Sequence, residues 1–410
     1  MVSDMLVALQ QATANGTSLF ALNHHALAPA RHQIYKQLAS AHEPGSVACT
    51  NGLTVPQVRH TCGVLGLQPA GLWGLISGIN EHKVAGGVTP WQSKLGSQSA
   101  SAAGPCLLRL ALERSHSAHH AVEIITDLLE RLPTAATGDN IFLFADAKEA
   151  FVLESAGRFW GLLECGHARV VTNVPMIRQD WRRLAPGLAT HVIEQGWWHD
   201  DGSKIDFVGC LGQTNEQARN AQKRWGRASL ALTQQQGAID AHFLRRMLSD
   251  YFLANRELLP RSHGLACSFL ADISDSAPLL AWIGFGPPQV SVYFPICFAG
   301  DLPPAFNVRP GVTSIEDRTH DLLTMTAAKD RDRLTDALER MQTRFDLDAD
   351  DFLFRAQEAA HHGRAFVIPQ LATEMMRQHA DLFDKEYRRL FGVEVPVEPV
   401  PVAEEMLFYA

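Results

Sequence analysis

Ser3 and the adjacent pair His24-His25 carry the side chains with the most chemistry to offer. Histidine changes charge near neutral pH, so a histidine pair can act as an acid-base group or line a site that binds a ligand. The two segments lie far apart in the chain and something must fold them together. Asp4 to Leu9 alternate as a strand does, Ala14-Asn15-Gly16 offers turn residues, and Thr17 to Leu22 reads as the returning strand. With the turn near Thr13 to Asn15, antiparallel pairing sets Ser3 opposite His24 or His25. The chain start and the Asn23-His24-His25 segment are therefore expected to share one site.

Other clusters carry less. His116, His119 and His120 have helical i, i+3, i+4 spacing, which suits zinc, but no acidic or further ligand accompanies them. His361-His362 fall in a charged helical stretch and read as solvated. Gly284-Phe285-Gly286 looks superficially like a nucleotide loop, yet it lies between strand-like runs and before Pro287-Pro288, without the setting such a loop needs. Trp197-Trp198, beside Gly196 and Asp200-Asp201-Gly202, read as core or pocket wall in a loop. No metal or cofactor is expected.

The elements that must position the hairpin follow from periodicity. Apolar residues recur at helical spacing from Pro105 to Leu132, with a break near Ser115 to Ser117. Short strands follow at Ile141 to Ala145, Ala150 to Leu153, Arg158 to Leu163 and Ala168 to Thr172, and read as one antiparallel meander. Asn215 to Thr233 and Ala241 to Leu258 are amphipathic helices, and strand character returns at Leu279 to Phe285 and Gln289 to Phe294. Beyond about Pro310 the chain is charged, Ala- and Leu-rich and helical through Leu390, then extended from Val393 to Val402. This divides it into a main unit, 1–310, and a helical appendage with an extended tail, 311–410.

Composition narrows the partners. The formal net charge of -8 leaves no basic surface for phosphates, which speaks against nucleic acid and anionic membranes. Seven cysteines without a CxxC pair read as reduced thiols, and no apolar run approaches about 18 residues, so a cytoplasmic protein is expected.

Several segments in register resemble the secernins and the related cysteine dipeptidases of the N-terminal-nucleophile class. They include Ser3-Asp4 through Ala8-Leu9, Phe20 through Asn23, Cys49-Thr50 with Pro56-Gln57-Val58, Trp73-Gly74 with Asn80-Glu81-His82, Glu149-Ala150 with Val152-Leu153-Glu154, Thr172-Asn173, and Gln195-Gly196-Trp197-Trp198. The resemblance covers roughly the first three hundred residues. It implies an α+β fold, a four-layer αββα sandwich, and hydrolysis of an amide bond in a small peptide by a nucleophile whose own amine is the chain terminus.

Residue by residue, the resemblance puts Ser3 where that class has its cysteine, so Met1 and Val2 would have to be removed, by self-cleavage. Asn23 is kept, His25 stands at the carboxylate position and Leu22 at the cationic one. Asn173 matches an asparagine of the site, while Val88, in Gly86-Gly87-Val88-Thr89, replaces an asparagine that donates to the oxyanion. Losing one such donor costs roughly 3–4 kcal/mol. The expected catalytic set is Ser3, Asn23, His25 and Asn173. Asp4, His24, Asn80, Glu81 and Val88 are expected on the substrate side, Asn80 and Glu81 holding a turn near the pocket. A divergent amidohydrolase, assembled as a homodimer, is the leading expectation. A non-catalytic relative with a binding or assembly role is the alternative.

Overall fold

The structure, a computed structural model, describes residues 2–27, 30–50, 52–96, 103–213, 215–249, 263–274, 278–287, 290–307, 313–326 and 328–392. Two antiparallel sheets lie face to face. The first has six strands in the order β14 (Ala168–Val171), β1 (Val2–Ala8), β2 (Ser18–Leu27), β16 (His263–Ile273), β17 (Leu280–Phe285), β18 (Tyr293–Cys297). The second has eight, in the order β15 (Arg183–Leu184), β13 (Phe159–Glu164), β12 (Ala150–Ala156), β11 (Asp139–Ala145), β10 (Ala85–Pro90), β9 (Ser77–Asn80), β8 (Val64–Pro69), β3 (His32–Gln37). Two small ribbons pair β4 (Ser40–Ala41) with β7 (His60–Thr61) and β5 (Ser46–Ala48) with β6 (Thr54–Pro56).

Helices α1 (Ala103–Arg114) and α2 (Ala118–Arg131) cover the outer face of the larger sheet, followed by the single turn α3 (Thr134–Thr137). The short helices α4 (Leu188–Glu194) and α5 (Phe207–Leu211) lie in the connection that leads to α6 (Glu216–Gln234) and α7 (Ala241–Ser249), which cover the smaller sheet. The result is the four-layer αββα sandwich. The expected helical break is real: Ser117 caps α2 by accepting from the His120 amide. Of the helix expected from Ala241 to Leu258, the part beyond Ser249 lies outside the described residues, as does the tail from Val393.

Of the C-terminal helices α8 (Ile315–Leu322), α9 (Ala328–His361) and α10 (Ile368–Phe391), α9 and α10 pack on the edge strand β18 and α8 lies against β17 and α10. Phe294 of β18 meets Phe345 and Phe383 at ring-centroid distances of 5.1 and 5.3 Å, and the Tyr293 amide donates to Gln342. A side-chain amide on the backbone and aromatic packing together cover that sheet edge. Among the described residues no helix is long and apolar enough to cross a membrane.

Two expectations change. The meander is broken: β14 leaves the strands before it and pairs with β1 in the other sheet, Met5 opposite Val171. The return strand β2 runs five residues past Leu22, taking Asn23, His24 and His25 into a central position where nine of its ten residues are buried. Buried on both faces, it shows no polar-apolar alternation at its end to read.

Glycines bring α1 down onto its sheet. A methyl group added at Gly74 would stand 2.6 Å from the carbonyl carbon of Pro105 and 2.8 Å from the Cys106 nitrogen, both helix backbone. Gly74→Ala should therefore lower stability by about 1–3 kcal/mol through forced displacement of α1. A urea midpoint indistinguishable from the parent's would show that the contact is not tight.

Candidate active site

The register of β1 on β2 sets Val2 opposite His25, Ser3 opposite His24 and Asp4 opposite Asn23. Successive side chains of a strand point to opposite faces. Ser3 and His24 therefore look into the space between the sheets, while Asp4, Asn23 and His25 look toward the layer of α6 and α7. Opposite faces divide the expected site into two.

Between the sheets, Ser3 Oγ lies 3.0 Å from His24 Nδ1, and the Ser3 backbone nitrogen donates to Thr89 Oγ1 at 2.9 Å. The His24 ring meets His32 edge to face at 5.1 Å, and His32 Nδ1 lies 3.5 Å from Glu316 Oε1. Ser3 is 1% exposed and His24 is fully buried. The imidazole on the hydroxyl is thus that of His24, expected on the substrate side, and not that of His25, expected to orient the attack.

On the helix side, Arg224 of α6 grips Asp4, its Nε 3.0 Å from Oδ2 and its Nη2 3.2 Å from Oδ1. The same Nη2 donates to Asn173 Oδ1 at 2.7 Å. Asn173 follows β14 by two residues, past its last pair of Val171 with Met5. Its carbonyl is held, so the group it has left to offer is the amide NH2. His25 Nε2 stands 3.6 Å from Asp4 Oδ2, and Asn23 accepts from Ser268 and donates to the Leu248 carbonyl. Asn23 is therefore engaged with α7 and β16 rather than with the hydroxyl. Strand β16 also changes register between Leu265 and Cys267, the partners of His25 and His24, a bulge of the kind that re-aims side chains at sites.

The other expected substrate-side residues lie elsewhere. Val88 turns its Cγ2 against Gly104 of α1, on the sheet face away from Ser3, and Thr89, one place on, faces the hydroxyl's strand. Asn80 accepts from the His82 and Val84 amides and donates to the Leu112 and Ser115 carbonyls, while Glu81 accepts from the Gly63 amide. Both belong to the hairpin turn at the opposite end of β10, about 16 Å from Thr89 at a strand rise of ~3.3 Å per residue. They hold that turn and do not line the space beside Ser3.

Two residues of the site, Thr89 and Arg224, escaped sequence reading. Arg224 had a signal: it sits on the buried stripe of α6 with Ala221, Ala228 and Leu232, where a cation demands a buried partner.

No known protein-family profile matches the chain. Among solved structures it is similar to penicillin V acylase from Agrobacterium tumefaciens, at 11% identity over 72% of this chain and 86% of that one, with a TM-score of 0.42. A variant of the conjugated bile acid hydrolase from Clostridium perfringens matches at 14% identity over 72% and 92%, with a TM-score of 0.41. The Caenorhabditis elegans ortholog of N-acylethanolamine-hydrolyzing acid amidase matches at 13% identity over 65% and 91%, with a TM-score of 0.36.

Burial alone would raise the Asp4 carboxyl, but Arg224 and His25 outweigh it and hold the group below its ordinary value of 3.8. A carboxyl depressed on folding stabilises the fold above its unfolded pKa, and that contribution is lost as pH falls through the folded value. Without Arg224 the buried carboxylate would lose its guanidinium partner and keep only the His25 imidazole, at 3.6 Å, near it. Arg224→Met should cost about 3–5 kcal/mol at pH 7, and the gap to the parent should narrow toward pH 3, where a proton neutralises Asp4 in the variant. Urea unfolding of both proteins across this range checks it; a gap independent of pH would show that the pair is not what the substitution removes.

Proposed function

We propose that the chain is an amidohydrolase of secernin-like ancestry in the N-terminal-nucleophile class, cleaving a small peptide or related amide through Ser3. The observation that carries this reading is the 3.0 Å approach of Ser3 Oγ to His24 Nδ1. As Ser3 Oγ attacks the substrate carbonyl carbon, His24 takes the hydroxyl proton and returns it to the departing amine, leaving an acyl ester on Ser3 that water then hydrolyses. The Asn173 amide donates to the oxyanion, oriented by its bond to Arg224. His24 thus supplies the base that this class takes from the terminal amine, consistent with a serine, whose hydroxyl is harder to ionise than a thiol. Loss of Met1 and Val2 would uncover the hydroxyl and leave the new amine beside Thr89. We place the enzyme in the cytoplasm and read it as a homodimer.

One observation favours the second reading, a non-catalytic binding protein: in the chain that retains Val2, Ser3 is 1% exposed. Intact mass of the purified protein, together with turnover of a panel of dipeptides and short acyl amides, separates the two. We expect a chain beginning at Ser3, no turnover by Ser3→Ala, and a rate reduced about 10²–10⁴-fold by His24→Ala. A chain that keeps Val2 and hydrolyses nothing in the panel overturns the catalytic reading. Undiminished turnover by His24→Ala removes the imidazole as base.

A further inference from the structure

At the end of β10 away from Ser3, Cys62, Glu81 and His82 converge, with one ligand atom from each within 4.8 Å of the others. The ladder of β8 on β9 brings them together: Val64 pairs with Asn80, and carrying that register outward sets Gly63 beside Glu81 and Cys62 beside His82. We propose that these three side chains form a binding site for a borderline-soft divalent cation, zinc above all, that ties the strand start before β8 to the β9–β10 hairpin.

The donor set carries the choice of ion. Thiolate, imidazole and carboxylate together are ligands zinc accepts, with a water completing four-coordination, whereas calcium and magnesium call for oxygen alone. Bond lengths of about 2.0–2.3 Å in a tetrahedron put donors roughly 3.3–3.8 Å apart, so the side chains need close in by only about an ångström. Glu81 and His82 are exposed and Cys62 is half-buried, which leaves an ion a way in.

The backbones beneath the donors are already tied. The Glu81 amide donates to the Gly63 carbonyl and the Gly63 amide to Glu81 Oε1, both at 2.9 Å, which leaves the second carboxylate oxygen for a metal. Cys62 is pinned through its amide to the Glu113 carbonyl at 2.7 Å, and Asn80 Oδ1 holds the His82 and Val84 amides at 3.0 Å each. Rigid supports reduce the ordering cost of binding. None of this depends on the chemistry assigned to Ser3.

The test uses the full chain freed of metal by a chelator, titrated calorimetrically with zinc chloride and separately with magnesium chloride, and with cobalt(II) as a spectroscopic probe. One zinc per chain, no magnesium binding, a thiolate-to-cobalt charge-transfer band, and affinity weakened at least ~10-fold by Cys62→Ser and by His82→Ala are expected. His120→Ala, in the separate His116-His120 pair, should leave the affinity unchanged. Absence of saturable zinc binding, or binding that survives Cys62→Ser and His82→Ala but is lost in His120→Ala, would overturn the assignment.

Discussion

Pairing of β1 with β2 through the middle of the smaller sheet is the constraint on which the site depends. One register decides which of two adjacent histidines meets the hydroxyl and which faces the carboxylate, because a slip of one residue turns a whole strand over. That register is guarded on both flanks. β14 pairs with β1 from Met5 to Ala8, and β16 pairs with β2 along its length, with a bulge at the level of His24 and His25.

The polar groups at this junction are costly to bury, and the fold answers Asp4 and Asn23 with partners in the helix layer. Asp4 and Arg224 come from β1 and α6, Asn173 from the segment after β14, and Asn23 reaches both β16 and α7. Each bond joins elements distant in sequence, so none forms until the layers are stacked. A buried ion pair of this kind adds little net stability by itself, but it penalises alternative arrangements that leave either charge alone. We regard it as the feature that holds the N-terminal strand in place while leaving Ser3 and His24 together on the other face.

Legibility in the sequence varied with the period of each element. Helices α2 and α6 are plain because one face is apolar and the other wet, α1 is plain from its apolar run although eleven of its twelve residues are buried, and the break at Ser115 to Ser117 falls where Ser117 caps α2. Gly-rich strands such as β9 and β10 were not read, since Gly78, Gly86 and Gly87 leave no side-chain pattern and exist to admit Leu112, Phe144 and Leu22 close to the sheet. The site was read in part. The meeting of Ser3 with the histidine pair followed from hairpin geometry, but choosing His24 needed a one-residue register. Thr89 carries no signal that sets it apart from its neighbour Val88, which faces α1, and the expected place of Asn80 and Glu81 beside the pocket gives way to the far end of their hairpin.

Local order is what the sequence determined by itself: amphipathic helices, a hairpin at the start, apolar strands and a helical C-terminal region, all of them consequences of side-chain periodicity within a few residues. The tertiary structure decided which strands share a sheet, which face each polar side chain turns to, and which distant residues close the polar network. Those outcomes depend on pairing between segments more than two hundred residues apart, as with Asp4 and Arg224, and short-range periodicity carries no information about such partners.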